Sequence, residues 1–94
     1  MPYLLIRQRI KDFERWKRLF DEHAATREAS GSKGGRLFRS PENCNEVLAL
    51  FEWEDLALAK RFALSENLRA VMQEAGVSEL PEIFLLDDVE SLSA

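Results

Sequence analysis

The sequence predicts an α+β fold: a four-stranded antiparallel sheet with two helical segments on one face. Three observations predict it. Apolar runs of strand length occupy 3–9, 36–40, 46–53 and 82–88. Two longer stretches, 13–29 and 55–75, carry a helical period instead. Residues that favour turns separate them, so the order is β-α-β-β-α-β, the split βαβ pattern called ferredoxin-like. Right-handed crossovers then place both helical segments on the same face.

Each element has its own warrant. Tyr3-Leu4-Leu5-Ile6 opens the first strand. Asp12 suits an N-cap, and Phe13, Trp16, Leu19, Phe20 and Ala24 fall on one side of the helix that follows. Ser30 to Gly35 reads as a break, because glycine tolerates positive φ. Arg36–Ser40 then makes a short second strand, and Pro41–Asn45 a turn. Glu46–Trp53 is the strongest strand signal. Asp55 suits a second N-cap and Ser65 a third, so the second helical segment bends near Ser65. Its stripes are Leu56, Ala59, Phe62 and Ala63, then Leu68, Val71, Met72 and Ala75. Gly76 ends it, with Val77 placed for the hydrophobic contact of such a cap. Pro81 stops further helix, Glu82–Asp88 makes the fourth strand, and Val89–Ala94 is a tail.

Composition narrows the function classes. The chain has 94 residues, 46% apolar and 32% charged. That suits one domain over 1–94 and excludes a disordered polar tail. The single cysteine, Cys44, makes neither an internal disulfide nor a cysteine-based zinc site. Apolar runs fall far short of the roughly 18 residues of a membrane span, and Arg7 comes too early for a signal peptide. The expectation is a soluble, cytoplasmic protein that binds neither membrane nor nucleic acid. Charge is uneven: +5 over residues 1–41 and −9 over 42–94. The two halves are expected to fold against each other and compensate, since an overall charge of −4 attracts phosphate weakly.

The first, third and fourth strands are apolar on both faces, where a half-solvated sheet would alternate. The helices cover one face. The other leaves roughly 400 Å² of sheet, large for a solvated apolar patch. Covering it is worth on the order of 10 kcal/mol per chain before the cost of association. A second copy, packed sheet to sheet under two-fold symmetry, is the simplest cover.

The segment FEWEDLALAKRFALSENLRAVM, with Trp53 closing a strand and Ser65 opening the second part of a helix, resembles the dimeric α/β-barrel superfamily. Within it, the chain is similar to the antibiotic-biosynthesis-monooxygenase-like group over residues 2–88. The resemblance implies a sheet-to-sheet dimer and a ligand cleft between helices and sheet. The group includes cofactor-free quinone-forming oxygenases and haem-degrading oxygenases. Where the haem degraders carry their iron ligand, this chain has Phe62 and Ala63, and Asn67 stands where a second His is common. Neither haem nor any other cofactor or metal is therefore expected.

His23 and Arg27 are the candidate catalytic pair. From Phe13, helical angles put them near 280° and 320°, between and beside Trp16 and Phe20 on the apolar face. One reading has the helix end overhang the sheet, so that both side chains reach water or a carboxylate, cations there suiting the helix dipole. The other has them line the mouth of a cleft, Arg27 holding an enolate or carboxylate and His23 moving protons. Trp16, Phe20, Trp53 and Phe62 are the candidate ligand-binding wall for a small apolar or aromatic molecule. Arg7, Arg9 and Glu52 are read as ion-pairing strand residues, Cys44 as incidental, and Ser65 as a cap. Gly31, Gly34 and Gly35 precede a strand and so form no phosphate loop. Three functions remain open: a small-molecule enzyme such as a cofactor-independent monooxygenase, a non-catalytic binder or sensor, and a structural dimer module.

Overall fold

Four strands pair antiparallel in the order β2-β3-β1-β4. They are β1 (Tyr3–Arg9), β2 (Ser32–Arg39), β3 (Glu46–Trp53) and β4 (Glu82–Leu86). The computed structural model describes residues 1–77 and 80–94. The crossover from β1 to β2 carries α1 (Phe13–Glu22) and α2 (Ala24–Ser30). The crossover from β3 to β4 carries α3 (Leu56–Ala63) and α4 (Glu66–Glu74). The ferredoxin-like arrangement is as the element order predicts.

The caps sit where the sequence puts them. Asp12 accepts from the backbone of Glu14 at 3.1 Å, Asp55 from Leu58 at 2.8 Å, and Ser65 from Leu68 at 3.2 Å. Gly76, at φ +78°, closes α4. Its N–H donates to Gln73 and that of Val77 donates to Met72, the paired bonds of a Schellman cap.

Three boundaries differ from expectation, the smallest being that of β4, which ends at Leu86 rather than Asp88. The first helical segment is interrupted at His23, which carries the backbone from α1 into α2 without a proline or glycine. Strand β2 begins at Ser32 rather than at Arg36, and ends at Arg39. The glycines are the reason. Gly34 takes φ +103° at a register shift between Ser32 and Gly34, so a stretch that reads as a break is a bulged strand. Gly35 lies against β3 so closely that a Cβ would overlap the Leu50 carbonyl oxygen.

Alternation along β1 and β3 sorts the two faces. Leu4, Ile6, Gln8, Val47, Ala49, Phe51 and Trp53 point toward the helices and are buried. The core closes on them with Trp16, Ala59, Phe62, Leu68 and Ala75. The opposite face carries Tyr3, Leu5, Leu48 and Leu50, flanked by Phe38, Phe84 and Leu86, all three exposed. Arg7 crosses this face as an ion-pairing residue, with Nε 2.6 Å from Glu46 and Nη1 3.4 Å from Glu82. These contacts join the basic and acidic halves of the chain.

Candidate functional site

Between the helices and the sheet lies a cavity of about 30 Å³. About 10–15 Å³ of such space holds one water, so the resting cavity is small. Its wall is almost wholly apolar, with Ile6, Trp16, Phe20, Phe51, Phe62 and Leu68 prominent. Three polar side chains break that wall: Gln8 from β1, His23 from the α1–α2 junction, and Arg27 from α2.

His23 is buried, at 8% exposure. Its Nε2 lies 2.6 Å from Asn67 Oδ1 on α4. An amide oxygen only accepts, so this nitrogen donates. The imidazole also packs against Phe62, with ring centroids 5.9 Å apart. Asn67 was read from sequence only as the absence of a histidine. Here it fixes the orientation of one.

Arg27 is half-buried. Its Nη1 donates to the Phe20 carbonyl at 2.8 Å. Its guanidinium carbon sits 4.1 Å from the Phe20 ring centroid and 5.2 Å from that of Phe51. These are cation–π distances. Burial lowers the Arg27 pKa from its ordinary value, offset in part by Asp21. The group nonetheless remains a cation at working pH. Asp21 itself is bound by Lys17 at 2.7 Å, and no carboxylate makes an ion pair with Arg27 among the described residues.

Of the candidate residues, Trp16, Phe20, Phe62, His23 and Arg27 meet at this cavity. Trp53 does not line it. It is fully buried behind Phe62, centroid to centroid 5.0 Å, in the core under β3. Gln8 is the wall residue that the sequence reading passed over. Its signal was parity: it shares a strand face with Leu4 and Ile6, where an amide is out of place. Gln8 is 5% exposed, and no protein donor reaches its Oε1 among the described residues.

Phe20, Arg27 and Phe51 also border an open groove of about 290 Å³ on their outer side, floored by β2. The three side chains therefore stand as a partition between groove and cavity. No group of three or more His, Cys, Asp or Glu side chains gathers in metal-binding fashion among the described residues.

No protein-family model matches the chain, and no curated protein matches it by sequence. Solved structures do. SnoaB, a cofactor-independent oxygenase from Streptomyces nogalater, is similar with a TM-score of 0.77 and 16% identity, over 99% of this chain and 97% of its own. An antibiotic biosynthesis monooxygenase is similar at 0.73 and 18%, over 96% of this chain and 100% of that one. Rv0793 from Mycobacterium tuberculosis is similar at 0.69 and 12%, over 99% of this chain and 100% of that one. At these identities the likeness is one of fold, and it runs nearly the full length of each partner. The chain thus has the ferredoxin-like α+β fold of the antibiotic-biosynthesis-monooxygenase-like proteins.

Proposed function

We propose that this protein is a homodimer that binds a small aromatic molecule bearing an acidic hydroxyl or carboxylate between its helices and its sheet. One observation carries the reading: Arg27, a half-buried cation with no carboxylate in ion-pair contact among the described residues, lies against two phenylalanine rings at the edge of an apolar cavity. A buried charge is costly unless paired. An aromatic anion supplies both the missing charge and a surface for Phe20 and Phe51. The dimer rests on the apolar face carrying Leu5, Leu48, Leu50, Phe84 and Leu86, which no helix covers.

His23 lines the same site and supplies an imidazole beside it, which favours a catalytic form of the reading: cofactor-independent oxygenation of a hydroxylated ring. SnoaB, of the same fold, is a cofactor-independent oxygenase. Binding and turnover are separable by experiment. Thermal unfolding with 3-hydroxy-2-naphthoate should show stabilisation, about 2.7 kcal/mol at a hundred times Kd. Arg27→Ala should weaken that ligand more than it weakens uncharged 2-naphthol. Equal loss for both, or no stabilisation by either, refutes the anion site. Oxygen uptake that His23→Ala abolishes, with the ligand still bound, would mark an enzyme. Binding without uptake would mark a sensor.

A further inference from the structure

We infer that Gln8 is a specificity-determining residue of this cleft: its Oε1 accepts a hydrogen bond from a ligand hydroxyl, so the site selects aromatic molecules that donate there. The inference rests on the aromatic-cleft reading above and adds to it the identity of one ligand group.

The argument starts from the strand. Leu4, Ile6 and Gln8 occupy successive inward positions of β1, opposite Phe51, Ala49 and Val47 of β3. All three inward side chains of β1 are buried. At Gln8 an apolar side chain would complete the pattern. The chain instead puts a carboxamide at the inner wall of the cavity, with an oxygen that no donor among the described residues satisfies. The other polar groups of the wall do not meet it. His23 gives its Nε2–H to Asn67, and the one recorded hydrogen bond of Arg27 goes to the Phe20 carbonyl. An acceptor buried without a partner costs free energy that a donor from the ligand would recover.

The chemistry of the wall is therefore asymmetric. Arg27 offers only donors and suits an ionised or accepting oxygen. Gln8 Oε1 offers only lone pairs and suits a hydroxyl hydrogen. A site built around a buried acceptor rejects the analogue that cannot donate to it, because the acceptor is then left dry and unpaired. A phenol and its methyl ether differ in this respect: both present an oxygen to Arg27, and only the phenol donates to Gln8.

The experiment uses the full chain and two fluorescent probes, 2-naphthol and 2-methoxynaphthalene. In the unmodified protein, 2-naphthol should bind at least tenfold more tightly. In Gln8→Met, which keeps length and removes the acceptor, the two affinities should converge. Gln8→Met should also unfold at a higher temperature without ligand, since it deletes an unsatisfied buried acceptor. Equal affinities in the unmodified protein overturn the assignment and leave the aromatic cleft standing, a result that needs no variant to fold. So does a preference retained in Gln8→Met. Failure of both probes to bind at millimolar concentration overturns the assignment together with the cleft itself.

Discussion

Asn67 and His23 form a side chain–side chain hydrogen bond between the two helical segments, at 2.6 Å. Removing Asn67 leaves a buried imidazole N–H without a partner, which costs about 1–3 kcal/mol. Asn67→Ala should lower the unfolding free energy by that amount, seen as a lower urea midpoint with the slope of the transition unchanged. On the opposite face, Tyr3 hydroxyl lies 3.4 Å from Glu52, whose carboxylate, with a smaller part from desolvation, raises the phenol pKa. The folded state thus favours the protonated phenol. That contribution is complete below the phenol's unfolded pKa and is lost as pH rises through the folded one. Tyr3 is the only tyrosine of the chain, so tyrosinate absorbance reports it alone. Its midpoint should lie above that of free tyrosine and fall in Glu52→Gln.

At the scale of elements, β2 depends on the close approach of Gly35 to the Leu50 carbonyl. Gly35→Ala must push β2 from β3 along an edge of the sheet, at a cost of about 3 kcal/mol. Amide exchange should then quicken in Arg36–Arg39 before it does in β1. This strand also marks where the sequence misleads. Gly34 and Gly35 carry the ordinary marks of a loop, and only pairing with Phe51 and Glu52 shows them to be strand. By contrast, Asp12, Asp55, Ser65 and Gly76 were legible, because a cap is local chemistry that needs no distant partner. His23 and Arg27 were legible as polar residues on an apolar stripe, but their partners lie on other elements or across a helix break. Gln8 was missed because the strand was read for its apolar run rather than residue by residue for the face each occupies.

For the whole molecule, the governing feature is the uncovered sheet face. Leu48 lies at its centre, between Phe38 of β2 and Arg7 of β1, whereas its neighbour Ala49 is buried beneath the helices. Leu48→Asp should therefore dissociate the proposed dimer to a species of 10.8 kDa in sedimentation. Ala49→Asp should instead destabilise the fold itself. A 10.8 kDa species for the unmodified chain at micromolar concentration would remove the dimer from consideration. Among the described residues, no helix is long and apolar enough to cross a membrane. The proposed dimer would cover the exposed apolar side chains of this face with another copy of the sheet.

The partition made by Phe20, Arg27 and Phe51 has a kinetic consequence. A ring is too large for the resting cavity of about 30 Å³, yet the groove outside, of about 290 Å³, can receive it. Association should then proceed in two steps, a rapid docking in the groove followed by passage when the partition swings aside. In stopped-flow mixing, the observed rate should rise with ligand concentration and level off at the swing rate. The apparent Kd would exceed the intrinsic one by the inverse of the fraction of molecules standing open. Phe20→Ala should raise the plateau and shorten the residence time together, making the protein quicker to fill and quicker to empty.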